Sequence, residues 1–328
     1  MIQTAKPESL DLRTMVIDPP LLLAPMAGLT HSAFRRLLSD FGGYGALFTE
    51  MLSGPALVRE DLPSSPYTKK RDTEGKVFYQ LRLNGTEPIP TIIERLSTID
   101  LCGIDINLGC PAPEIRKVKA GAALFEDDER MKKVLDTCRK AWDGLLTIKC
   151  RLGSPAEGWE ERLVKKLHII EECGIDAITM HPRFSDEKLK RNARWKLLPF
   201  VKSHCNLPLI ANGDIKNGQE VRLLTGELMC SGVMIGRMAA VKPWIFKEIS
   251  SGPVAVDYQE VWHRACSYIQ EDFPPTKAIG RIKEFGFYYA QNFFFGHNFH
   301  SAVQSSPDLD TLMKRADDFL GRKPRVNC

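Results

Sequence analysis

In Ile104-Asp105-Ile106-Asn107-Leu108-Gly109-Cys110-Pro111 a short apolar strand runs into a loop that it cannot continue. Residues 104–106 read as strand, with Asp105 between two isoleucines. Asn107 follows, Gly109 loosens the chain, and Pro111 and Pro113 exclude both a continuing strand and a helix interior. Asn107 and Cys110 are therefore held on a loop at the strand's C-terminal end, which in a parallel α/β barrel is where active sites form. Cys110 reads as the residue that does chemistry and Asn107 as one that orients a substrate. A lone cysteine is most often a small buried hydrophobe, so this reading depends on what the other strand ends offer.

Seven further apolar runs accompany that strand. Leu21–Ala24 is closed by Pro25, with Met26-Ala27-Gly28 as a tight loop and Thr30 as the cap of a helix from Ser32 to Ser39. Gly45–Glu50 and Val77–Leu83 follow, joined mainly by the polar, proline-rich segment Arg59–Lys76. After the central strand come Leu145–Arg151, Ile175–Met180, Pro208–Ala211 and Gly232–Ile235. Helical patterns intervene at Pro90–Thr98, after Asp127-Asp128, and at Glu160–Cys173, which Gly174 ends. Eight strand–helix units predict an α/β fold, a (β/α)8 TIM barrel, for which about 250 residues is the usual size. A doubly wound sheet is the rival layout. Beyond Ser250-Ser251-Gly252-Pro253 the pattern turns helical: Tyr258–Asp272, Pro275 to about Phe294, and a last helix to Leu320 with Ser306 as cap and Pro307 at its first position. The expected division is residues 1–250 as barrel and 257–328 as a small all-helical domain. Most of that tail's aromatics should be core, and sequence alone does not sort them.

The bulk composition is that of a soluble globular chain: 328 residues, 43% hydrophobic, 26% charged, net charge +4. That balance permits a local nucleic-acid patch without arguing for one. The nine cysteines include no Cys-x-x-Cys pair, so neither a metal site nor a disulfide scaffold is expected. Met1–Asp18 lacks the apolar core of a signal peptide, and no run reaches the ~20 residues of a membrane span. A cytoplasmic setting is the expectation.

The strand ends converge on one chemistry. Asn212-Gly213-Asp214 and Gly236-Arg237 follow strands seven and eight, where barrels hold phosphates on backbone N–H groups. Gln80 can donate and accept, and Lys149 and Arg151 share a face at the end of strand five. Flavin mononucleotide (FMN) meets these demands: a phosphate at strands seven and eight, a ring over the mouth, and a cation near its N1–C2 edge.

With these pieces in order, the chain resembles the dihydrouridine synthase family, flavoenzymes that reduce uridine in RNA. The matching segments are Ala24-Pro25-Met26-Ala27-Gly28-Leu29-Thr30, the Gln80 strand, Asn107-Leu108-Gly109-Cys110-Pro111, Gly121-Ala122-Ala123-Leu124, Lys149-Cys150-Arg151, His181 with Arg183, Asn212-Gly213-Asp214 and Gly236-Arg237. The resemblance implies that Pro25, Met26 and Ala27 line the flavin ring and that Gln80, Lys149 and His181 hydrogen-bond it. Asn212, Gly213, Asp214, Gly236 and Arg237 would hold its phosphate, Asn107 and Arg151 would face the uracil, and Cys110 would be the general acid. Hydride would pass from flavin N5 to C6 and a proton from Cys110 to C5, with NADPH as a transient reductant. A thiol of pKa about 8.5 keeps its proton at neutral pH and can release it to a carbanion-like centre. The partner implied is RNA, tRNA foremost, with no membrane, metal or protein partner indicated. The target base must be extruded from folded RNA. Basic residues near the site are Arg116, Lys117 and Lys119, and the segment Arg183–Lys196 with Lys188, Lys190, Arg191 and Arg194.

Two positions depart from the family pattern: His31 stands where many relatives carry Asp, and Pro182 where many carry Gly. The alternatives kept open are the same chemistry on ribosomal RNA, a barrel flavoprotein reducing a free pyrimidine or an enone, and a non-redox RNA-binding module.

Overall fold

A computed structural model describes residues 9–187 and 191–327. The barrel strands are β1 (Leu21–Leu23), β2 (Leu47–Phe48), β3 (Val77–Arg82), β4 (Gly103–Leu108), β5 (Leu145–Arg151), β6 (Ala177–His181), β7 (Leu209–Asn212) and β8 (Gly232–Ile235). They pair in parallel in the order β1-β8-β7-β6-β5-β4-β3-β2. The ring closes through a parallel bridge between Leu22 and Ala46. A barrel, not the doubly wound sheet, is what eight strands and their covering helices build. A further strand, Leu52–Ser53, extends the pairing along β3.

Period-two alternation places one set of side chains inside the ring. The lower layer is apolar: Leu22, Phe48, Phe78, Leu145, Ala177, Ile210 and Met234 form one buried cluster. The Phe48 and Phe78 rings stack at 4.9 Å, and Gly103 leaves them room, since a Cβ there would lie 2.5 Å from Phe78. An antiparallel hairpin, Leu10–Leu12 with Met15–Ile17, contributes Leu10, Leu12 and Ile17 to the same cluster and so plugs the barrel floor. That hairpin was not expected; three-residue strands are too short for alternation to announce them.

Several boundaries differ from expectation. The helix Ser32–Phe41 is capped by His31, whose Nδ1 accepts from the Phe34 N–H at 3.3 Å, and not by Thr30. Burial, together with Arg281 and Arg35, pushes the His31 pKa down to about 3, so the ring is neutral and can accept. An imidazole thus does the capping work more often done by Ser, Thr, Asp or Asn. Pro113 begins a short helix, Pro113–Lys117, where a missing N–H costs nothing. The expected long helix from Pro275 ends at Tyr289, and the chain restarts at Gly296–Gln304 after a 3-10 turn. The last helix is Leu309–Leu320, capped by Asp308 accepting from the Thr311 N–H at 2.7 Å; Ser306 is buried and donates to the Ala302 carbonyl.

The tail helices are packed onto the barrel. Trp262, Phe285, Tyr289, Phe293 and Phe299 belong to the same continuous core as Phe34 and the barrel's outer layer. Asp272 binds Lys69 and Arg71, and Arg264 and Tyr268 both reach Asp40.

Candidate active site

The apolar floor gives way to polar layers toward the C-terminal ends of the strands. Gln80, Asp105 and Thr147 are register neighbours across β3, β4 and β5. Thr147 donates to Asp105 Oδ1 at 2.6 Å, Gln80 Nε2 donates to Asp105 Oδ2 at 2.7 Å, and all three residues are buried. Burial raises the Asp105 pKa to about 6, against the pull of Thr147, Gln80 and Lys149.

Two register positions further, on the same face, Asn107 pairs with Lys149. Asn107 Nδ2 donates to Gln80 Oε1 at 2.9 Å, and its Oδ1 accepts from the N–H groups of Gly109 at 3.3 Å and Cys110 at 3.0 Å. The Cys110 loop is therefore hung on Asn107. From the other side Ala122 N–H donates to the Cys110 carbonyl at 3.0 Å. Gly121 has φ +59°, and a Cβ there would sit 2.6 Å from that carbonyl. Cys110 itself is half-buried. Of the eight described cysteines, all free, only Cys110 and Cys102 are not fully buried.

Lys149 stands at the barrel mouth, and among the described residues no carboxylate pairs with it. Burial and the Arg151 charge lower its pKa to about 8, while Asp105, Cys150 and Cys110 oppose them. Arg151 is buried, with Nη1 donating to the carbonyls of Phe184 at 3.2 Å and Glu187 at 3.0 Å.

His181 is held neutral. Burial depresses its pKa, and Lys149, Arg151, Arg183 and Arg237 add to that. Arg183 Nη1 approaches His181 Nε2 at 2.5 Å, so Nε2 accepts and Nδ1 carries the proton. Arg183 is wholly buried; its Nε donates to the Arg191 carbonyl at 2.7 Å and its Nη2 to Asp214 Oδ2 at 2.5 Å. Asp214 takes Arg237 on its other oxygen at 2.7 Å. Gly213 makes this possible: a Cβ there would lie 2.6 Å from the His181 ring.

Lys149, Arg151, His181, Arg183 and Asp214 border a cleft of about 630 Å³, within the ~300–1,000 Å³ usual for cofactor-sized pockets. Its walls include Pro25, Met26, Lys149, Arg151, His181, Asn212, Gly213, Asp214, Gly236 and Arg237. Ala27 is exposed on the same β1 loop, whose Gly28 N–H donates to buried Glu50 at 2.8 Å. Ten of the expected residues thus share one cleft, whereas Ala27, Gln80, Asn107 and Cys110 are not part of its walls, and some of the side chains are used internally. Gln80 spends both amide ends within the protein, Asn212 Nδ2 donates to the Met234 carbonyl at 2.7 Å, and the Asp214 carboxylate holds two arginines.

Sequence reasoning did not find three wall residues from the tail: Phe287, Tyr288 and Gln291. Nothing in the local pattern separates them from the core aromatics around them. A second, wider cleft of about 1020 Å³ adjoins the first at Arg151 and runs along Pro111–Pro113, Arg116, Ser154–Ala156 and Ser185–Glu187. Near it Arg116 pairs with Glu126, and Arg194 and Arg191 both pair with Glu187, so part of the expected basic surface is neutralised. Lys117, Lys119 and Lys196 are exposed. Lys188 and Lys190 lie outside the described residues. Among the described residues no cluster of three His, Cys, Asp or Glu could hold a metal, and no helix is long and apolar enough to cross a membrane.

The family model for dihydrouridine synthase (Dus) matches residues 22–304. A tRNA-dihydrouridine synthase B from Proteus vulgaris is 33% identical over 316 residues, covering 92% of this chain and 96% of its own. That of Salmonella typhimurium is 30% identical over 314 residues, covering 91% and 96%. Among solved structures, TcOYE with pHBA aligns over 78% of this chain and 95% of its own with TM-score 0.54 at 10% identity. A morphinone reductase variant in complex with tetrahydroNAD aligns over 75% and 90% with TM-score 0.55 at 9% identity. Those two likenesses show the barrel fold alone. The family model spans most of the chain and runs on from the barrel into the tail helices, and the chain belongs to the dihydrouridine synthase family.

Proposed function

We propose that this protein reduces the C5–C6 double bond of uridines in tRNA to 5,6-dihydrouridine, with FMN as bound cofactor and NADPH as transient reductant. The observation that carries the reading is the half-buried Cys110, on a loop hung from Asn107, within the electrostatic reach of the Lys149 and Arg151 cations that border the cleft. The names of the relatives favour tRNA over ribosomal RNA as substrate.

The residues present fit FMN. Gly213 is a cradle that a Cβ would fill, Arg237 is exposed beside it, and the cleft has cations in excess of carboxylates. Arg237 and the backbone at Gly213 and Gly236 would hold the phosphate, with Asp214 aiming Arg237 instead of meeting the anion itself. Pro25 and Met26 would form an apolar wall for the ring. Lys149 would supply positive charge to its N1–C2 edge, and neutral His181 a single Nδ1–H donor. When bound and reduced, FMN supplies hydride to C6 of the uracil.

The chain does the rest. Cys110 holds a proton for C5. Arg151 keeps for the enolate charge on O4 the guanidinium edge that has no partner among the described residues. Asn107 retains one amide hydrogen for the base. The wider cleft beside Arg151 gives the flanking nucleotides a path, and exposed Phe287 offers a face on which a base can stack.

Purified protein should bind FMN and, with NADPH, convert uridine in a tRNA transcript. Cys110→Ala should keep FMN and RNA binding and lose most turnover. Normal turnover by that variant would remove the thiol from the mechanism. Deleting the gene and mapping dihydrouridine across tRNA and ribosomal RNA assigns the RNA class.

A further inference from the structure

The four linked side chains beneath the cleft form a chain of hydrogen bonds with a direction. Asp105 is the only member that, when ionised, can accept but not donate. It therefore turns the Gln80 amide nitrogen toward itself, which leaves Gln80 Oε1 facing Asn107. Asn107 must answer with its own nitrogen, so its oxygen is left for the Gly109 and Cys110 N–H groups. Each amide is oriented by the one before it, and the carboxylate orients the first. The chain is buried throughout, so no bulk water substitutes for a reversed amide.

We propose that Asp105 is a positioning residue for the Cys110 loop, acting through Gln80 and Asn107 by fixing which way round their amides point. The proposal rests on Cys110 as proton donor for its effect on rate, but not for its effect on the loop.

The test reverses the direction. In Asn107→Asp, Gln80 faces carboxylates on both sides and can satisfy only one, so the unsatisfied carboxylate at position 107 is pushed out of place and its hold on the loop N–H groups loosens. In the double variant Asp105→Asn/Asn107→Asp the whole chain runs backwards. The new amide at position 105 donates to Gln80 Oε1, Gln80 Nε2 donates to the new carboxylate at position 107, and that carboxylate accepts from the loop. Thr147 still donates to the amide oxygen at position 105, and the relocated charge takes the register position beside Lys149. Asp105→Asn alone keeps the native direction, because the Thr147 hydroxyl can accept as well as donate.

Two readouts are taken on FMN-loaded enzyme: single-turnover oxidation of reduced enzyme by tRNA, and amide hydrogen exchange at Gly109 and Cys110. Asn107→Asp is expected to lose about 100-fold in rate and to exchange these amides at least tenfold faster. The double variant should recover tenfold or more of the rate and restore protection. Asp105→Asn should lose less than Asn107→Asp. The proposal falls if the double variant is no better than Asn107→Asp on either readout, or if Asn107→Asp leaves exchange unchanged. Exchange separates this outcome from failure of the Cys110 reading: protection lost and regained stands even if Cys110→Ala turns over normally.

Discussion

Arg35 and Glu74 form an ion pair in which neither side chain exposes any surface, with Nε 2.7 Å from Oε2. Arg35 also donates to the Thr30 carbonyl at 2.8 Å and the Lys69 carbonyl at 2.6 Å, and Glu74 Oε1 accepts from the Arg71 N–H at 3.1 Å. The pair thus fastens the long β2–β3 connection to the first barrel helix and supports the end of the β1 loop. Breaking a buried pair by removing one partner costs about 3–5 kcal/mol, because the other charge is left uncompensated. At ~2–4 °C per kcal/mol, Arg35→Met and Glu74→Gln should each lower the melting temperature by roughly 6–20 °C. Arg35→Met/Glu74→Gln leaves no orphan charge, only unpaired carbonyls, and should cost about 2 kcal/mol, well short of the sum. Urea and thermal unfolding of the three variants, followed by circular dichroism, measures the cycle. Single losses below about 1 kcal/mol, or losses that simply add, would refute the argument that this pair is uncompensated when halved.

Lys149, with its pKa near 8, is charged below that pH and neutral above it. FMN affinity should therefore fall as pH rises through 8, and fluorescence titration should show that slope missing in Lys149→Gln. Arg183 serves His181, Asp214 and the Arg191 carbonyl with one planar fork that lysine does not reproduce. Arg183→Lys should weaken FMN about 10- to 100-fold, about 1.4–2.8 kcal/mol; a dissociation constant within twofold of wild type would contradict this. The two guanidinium bonds from Arg194 hold the Glu187 pKa down to about 2. A depressed carboxylate stabilises above its unfolded pKa of ~4.5 and loses that contribution as pH falls through its folded value. The stability gap between wild type and Glu187→Gln should be full at pH 7 and nearly gone at pH 2, as read by acid unfolding.

The barrel was legible because each of its strands carries an apolar run, and a closed parallel ring buries both faces. Where to look for a candidate site was legible because barrels gather chemistry at one end of those strands. Less legible was how the polar residues there divide their work. Gln80, Asn107, Asp214 and Asn212 read alike as ligand-facing groups. Their partners, Asp105, Arg183 and the Met234 carbonyl, lie on other strands or beyond other turns, and local pattern carries no such information. Ser306-Pro307 misled for a related reason. It has the letters of a helix start, but Asp308 two residues on is the better acceptor for an exposed first turn, and Ser306 is committed to the previous helix. The tail aromatics were the least legible. Phe285 is buried and Phe287 is half exposed, two residues apart on one helix, and only the packing of Phe285 against Trp262 and Phe34 tells them apart.

Phe287, Tyr288 and Gln291 form part of the wall of the barrel's own cleft. Transplanting this C-terminal segment from a relative with a different RNA preference would therefore be a cofactor experiment as much as a recognition experiment. Under the proposed function, a chimera would change both the contacts offered to RNA and the margin of the flavin cleft in the same cut. Any shift in target position would have to be scored beside flavin occupancy before it could be credited to the graft.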